Sequence, residues 1–177
     1  MKRLSLLSLA ALAVSGIAAC GEEDFAIISP TIAHQQLTAA LTGAAERPTP
    51  VTTSASGQFT AQIRDTSTIG SKRDSLAVIR FEILVSNIDS VTAAHIHAGG
   101  PNDVGPIMVS LFGSVTPTAV GLTGVLRQAD VSRASTFTAP FTMDSVLTRI
   151  RAGTSYVNVH TRRNPGGEIR GQVAVTP

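Results

Sequence analysis

Cysteine is almost missing from this 177-residue chain: Cys20 stands alone, so no internal disulfide can form. Charge is also scarce, at 15% of residues, and the formal excess of +2 comes from Lys2 and Arg3 at the extreme start. Without those two, 12 basic side chains face 12 acidic ones. Such a balance offers no broad electrostatic footprint for nucleic acid or for an acidic membrane surface. Tryptophan is absent and aromatic residues number seven. Val, Thr, Ser and Ala dominate instead, with 15 Gly and 9 Pro, a mixture that suits short strands joined by turns and excludes long helices and coiled coils. Catalytic signatures are missing too. There is no Gly-x-Ser-x-Gly elbow, no Ser-His-Asp arrangement assignable from spacing, no phosphate-cradling glycine motif and no cysteine cluster. The reading therefore leans away from an enzyme. At 43% hydrophobic, the chain can fill one core but not two.

The first residues carry a separate message. Met1-Lys2-Arg3 is a short cationic start, and Leu4 to Val14 is an apolar run of about a dozen residues, too short to span a bilayer and typical of a signal peptide. The run leads through Ser15 and Gly16 into Ile17-Ala18-Ala19-Cys20, an aliphatic residue, two small ones and cysteine. This segment resembles a bacterial lipobox. The resemblance implies cleavage before Cys20, diacylglyceryl attachment to its sulfur and acylation of the new amino terminus. Several acyl chains at about 0.8 kcal/mol per buried methylene would hold the protein on a membrane without a transmembrane helix. Gly21, in place of the aspartate that retains such lipoproteins, favours an outer membrane where the cell has one. The expected layout is a signal peptide over 1–19, a lipidated start and tether over 20–35, and one domain over 36–177.

Past the tether, apolar and polar residues alternate with the period of two expected of half-buried strands. Leu37, Ala39 and Leu41 form one such set, and Phe59, Ala61 and Ile63 another. The clearest is Ala77, Ile79, Phe81, Ile83 and Val85, with Arg80 and Glu82 on the opposite face. Further strands are expected over Val91 to Ala98 and Ile107 to Phe112, and a weaker one over Leu122 to Leu126. Tyr156 to Thr161 and Glu168 to Val175 flank the turn formers Asn164-Pro165-Gly166-Gly167. Asp144 to Ala152, closed by Gly153, is the one helical pattern. The fold class is all-β: a single antiparallel β-sandwich of about seven or eight strands with one short helix near 144–152.

Three stretches, Leu41-Thr42-Gly43-Ala44-Ala45-Glu46-Arg47-Pro48, Ala94-His95-Ile96-His97-Ala98-Gly99 with Gly105-Pro106, and Tyr156 to Thr161 with Asn164 to Gln172, together resemble the CHRD domain, a module first recognised in chordin and found in many bacterial exported proteins. Ala98 departs from the glycine that members often carry after the second histidine. The resemblance implies an all-β domain and brings no general reaction with it. In chordin such domains belong to a growth-factor antagonist, a ligand that a bacterial lipoprotein gives no reason to expect.

His95 and His97, two apart on a strand, project from one face, where their nitrogens can converge on one ion. If the terminal hairpin pairs nearby, His160 supplies a third imidazole and Glu168 or Asp103 a carboxylate, a set suited to zinc or copper. His-x-His on a β-sandwich also brings copper-zinc superoxide dismutase to mind, but four histidines are too few for its ligands. The competing reading is that His95, His97 and His160 hydrogen-bond loop carbonyls and one another. Glu168 and Arg170 share a face of the last strand, where an ion pair is expected, and Asn158 shares one with Tyr156 and His160, making a polar patch for binding or stability. The sequence thus suggests an envelope lipoprotein presenting a non-enzymatic CHRD binding or structural module, with an envelope protein or a polysaccharide as partner. The alternative is a metal-binding protein or metalloenzyme built on the three histidines.

Overall fold

The computed structural model describes residues 32–66 and 77–176. The lipobox with Cys20, the signal peptide and most of the tether lie outside the described residues, as does Leu76. Among the described residues nine strands form: β1 (Ile32–Thr42), β2 (Ser56–Thr66), β3 (Val78–Ile88), β4 (Val91–Ala98), β5 (Ile107–Gly113), β6 (Leu122–Val131), β7 (Ser155–Thr161), β8 (Ile169–Gln172) and β9 (Ala174–Thr176). One helix, α1 (Met143–Arg151), precedes β7. No helix among the described residues is long and apolar enough to cross a membrane.

The all-β antiparallel fold with one short helix is as expected, and its strands belong to one continuous sheet. Their order is β5-β4-β7-β8-β1-β2-β3-β6, with β9 also paired to β1. The sheet curls until its end strands β5 and β6 approach, nearly closing it like a barrel. Period-two patterning explains the inside. Leu37, Leu41, Phe59, Ile63, Ile79, Ile83, Ile96, Val157 and Ile169, from six strands, are each no more than 1% exposed. Alternation then puts the intervening residues outside.

The helix starts where Thr142 and Ser145 cap each other: the Ser145 amide donates to Thr142 Oγ1, and the Thr142 amide to Ser145 Oγ at 2.8 Å. Met143, Val146, Leu147 and Ile150 are its buried stripe. It ends at Gly153, whose φ of 67° suits glycine.

Besides the end of β3, which runs past Val85 to Ile88, two boundaries moved. The weak Leu122 to Leu126 strand extends to Val131, because it pairs with β3 down to Ile79↔Val131. The expected last strand is interrupted at Val173, a buried residue whose amide bonds the Ser155 carbonyl, so β8 pairs mainly with β7 while β9 pairs with β1.

Candidate metal centre

Strands β4, β7 and β8 lie side by side, and their registers set the site. His95 is opposite Asn158, which is opposite Arg170; one step along, His97 is opposite Tyr156, which is opposite Gln172. Residues in register share a face. His160 follows two positions after Asn158, on that same face. The other face of these strands carries Ala94, Ile96, Val157, Val159 and Ile169 into the core.

The polar face is covered as well. His97 is 7% exposed, Asn158 3%, His160 9% and Arg170 2%, while His95 is half-buried. Two loops form the cover. Over Gly99–Pro106, the Gly105 carbonyl meets His97 Nδ1 at 2.9 Å, and the carbonyls of Asp103 and Gly100 each accept from Arg170 at 2.8 Å. Gly105 has no room for a side chain: a Cβ there would collide with the Ala98 carbonyl. The turn at 162–167 contributes the Pro165 carbonyl, 2.9 Å from His160 Nδ1. Arg170 also lies 3.4 Å above the Tyr156 ring, and that ring stacks with His97 at 4.8 Å between centroids.

These contacts fix the imidazole tautomers. A carbonyl only accepts, so Nδ1 of His97 and of His160 must each carry the proton, leaving both Nε2 atoms with free lone pairs. His160 Nε2 lies 3.0 Å from His95 Nδ1 and accepts from it in the neutral cluster. His97 Nε2 and Asn158 Oδ1 are buried without a well-formed hydrogen bond among the described residues, although the two side chains are near enough for Asn158 to favour the charged form of His97. Both are acceptors as oriented, and either a cation or the NH2 of a turned Asn158 amide would satisfy His97 Nε2. One nitrogen from each of the three rings lies within 4.8 Å of the others, a cluster that could hold a metal ion.

Electrostatics favour the same state. Burial, aided by the charges of His160 and His97, pushes His95 down to about 4. Burial also lowers His97 and His160, against the carbonyls of Gly105 and Pro165, which favour their charged forms. All three rings are therefore neutral at pH 7, the form that ligates. The nitrogen-only set matches zinc or copper chemistry better than that of oxygen-seeking calcium or magnesium.

The carboxylates considered from sequence are engaged elsewhere. Glu168 accepts from Thr53 at 2.7 Å and Thr161 at 2.6 Å; burial raises its pKa, but these bonds, with Asn164 and the charge of Arg163, outweigh that and hold it below the ordinary value. Asp103 accepts from the Gly100 amide at 2.8 Å. The expected Glu168–Arg170 ion pair is not among the salt bridges of the described residues, since Arg170 turns to the loop carbonyls.

Glu46 is the residue that sequence reasoning missed. It is 3% exposed, its Oε1 has no partner among the described residues, and it packs where a Cβ on Gly167 would stand. Burial pushes its carboxyl up to about 7, although Arg170 and Arg47 pull the other way. The available signal was one acidic residue after the small-residue run Gly43-Ala44-Ala45.

No match is found among curated proteins or among solved structures. The CHRD domain family model does match, over residues 37–173, a span that contains all three histidines, both covering loops and every strand named in the site. The chain therefore belongs to the CHRD domain family.

Proposed function

We propose that this CHRD-domain protein binds one zinc or copper ion through His95, His97 and His160, and that a lipid on Cys20 displays it at a bacterial cell envelope, on the outer membrane where there is one. The tautomer pattern carries the metal reading. Two imidazoles direct their Nδ1 protons at backbone carbonyls and keep Nε2 unprotonated, as metal-ligating histidines usually do; His160 Nε2 meets His95 Nδ1, and His97 Nε2 is buried without a well-formed hydrogen bond. Three histidines leave a further position on zinc for water or a ligand. We read the protein as a binding module and assign it no reaction.

The same hydrogen bonds favour a second reading, in which the histidines only pin the two loops. Equilibrium dialysis of the metal-stripped full chain against zinc and copper, followed by elemental analysis, separates the two. One ion per chain, lost in His160→Ala and kept in His34→Ala, is expected, because His34 is an exposed residue on β1. Substoichiometric metal in the wild type would leave the loop-pinning reading standing.

The lipid anchor rests on the Ile17-Ala18-Ala19-Cys20 pattern. Cys20→Ser should abolish both lipid labelling and peptidase processing. A processed, membrane-extracted form with an unmodified Cys20 thiol would overturn the anchor.

A further inference from the structure

A cleft of about 600 Å³ opens beside the 162–167 turn, lined by Glu168 and by none of the three imidazoles. Its volume falls within the roughly 300–1,000 Å³ of small-molecule sites. Its lining is unusual for such a site: among the described residues Pro50 and Val51 are the only apolar side chains in it, and none is aromatic. A hydrophobic ligand finds little to bury against, and a nucleobase has no ring to stack on.

What the cleft offers is hydrogen bonding held in place. Glu168 is fixed by Thr53 on one oxygen, Thr161 on the other, and Asn164 as a third partner, which leaves one of its four lone pairs for a ligand hydroxyl. Asp89 takes the Gly121 amide on Oδ1 at 2.6 Å, and Oδ2 remains. Asn87 donates to Ser54 at 2.7 Å, which orients its amide. Arg163 acts on Glu168 by charge alone and is exposed. The turn that carries it is pinned by the bonds from the Asn164 amide to Thr161 Oγ1 and from the Gly167 amide to the Asn164 carbonyl, both 3.1 Å.

Two carboxylates against one guanidinium leave the lining net negative, which disfavours an anionic ligand. Paired donors and acceptors, a net negative wall and a small apolar strip match a neutral sugar, whose hydroxyls both give and accept and whose C–H face is weakly apolar. We propose that this cleft binds a neutral saccharide of one or two rings, with Asp89 and Glu168 accepting from ligand hydroxyls and Arg163 donating to them. The site does not depend on the metal reading.

Saturation-transfer NMR on the purified full chain, stripped of metal, tests this with glucose, N-acetylglucosamine and cellobiose as neutral probes and galacturonate as the anionic one. Saturable binding of at least one neutral probe is expected, weakened about tenfold or more in Arg163→Ala and in Asp89→Asn through the loss of a charged hydrogen bond. Thr52→Tyr, at an exposed lining position, should block the cleft without touching those groups. No saturable neutral probe, tighter binding of galacturonate, or an affinity indifferent to all three variants would each overturn the proposal.

Discussion

Strands β3 and β7 carry the same period-two apolar pattern and meet different fates. In β3, Ile79, Phe81, Ile83 and Val85 are buried while Arg80 and Leu84 face water. In β7 all seven residues are buried, Asn158 and His160 among them. Alternation therefore fixes which side faces the core but not whether the other side is wet. On β7 the second face lies beneath the loops at 99–106 and 162–167, and there polar groups must find partners within the protein or a ligand. The two arginines show the contrast most plainly. Arg80 pairs with Asp130 at 3.1 Å with its side chain 58% exposed, whereas Arg170 is 2% exposed and holds two loop carbonyls.

That contrast should appear first in stability. Arg170→Met leaves buried carbonyls unpaired and removes the charge beside Glu46, a loss expected to cost about 2–4 kcal/mol in urea unfolding. Arg80→Met should leave the urea midpoint where it is. Equal effects would mean that the covered face is no different from the open one.

A smaller effect is expected within the imidazole cluster. His97→Ala removes the bond to Gly105 and should cost the metal-free protein about 1–3 kcal/mol. Exposed His34→Ala should cost nothing measurable. Zinc should raise the melting temperature of the wild type and leave that of His97→Ala unchanged.

The subtlest effect is one of pH. Glu46, facing Arg170 and Arg47, titrates near 7 in the folded chain against an ordinary 4.5. The folded state thus binds the extra proton, and this contribution to stability is complete below pH 4.5 and lost as pH rises through 7. Glu46→Gln cannot titrate. The wild type should therefore lose melting temperature relative to Glu46→Gln between pH 4.5 and 7, with a constant gap above. The three histidines shift stability the opposite way over an overlapping range, but they are common to both proteins and cancel in the difference. A gap independent of pH would remove Glu46 from the account.

How much of this could be read in the sequence follows from the same contrast. β4 was legible to the residue, Val91 to Ala98, because its apolar and polar positions alternate and Gly99-Gly100-Pro101 ends it. Helix α1 was legible to within one residue from its stripe and Gly153. β6 was underestimated because it pairs with β3 alone and much of it, from Arg127 and Gln128 to Asp130, faces water, which leaves little apolar pattern to read. The alternation read from Ala77 to Val85 stops short of the strand's end, because β3 runs on to Ile88, which is buried and pairs with Leu122. In the site, the shared face of His95 and His97 follows from spacing. The approach of His160 needed the register of β4 against β7, which spacing does not supply. Glu46 reaches the polar face from a loop far from β4, β7 and β8 in sequence, so no local pattern could place it.

X-ray absorption on the zinc-loaded full chain tests the metal centre most directly. The account predicts a nitrogen shell at about 2.0–2.1 Å with the outer-shell signature of three imidazoles, falling to two or fewer in His160→Ala. A first shell of oxygen alone, or an imidazole count unchanged by removing His160, would contradict it.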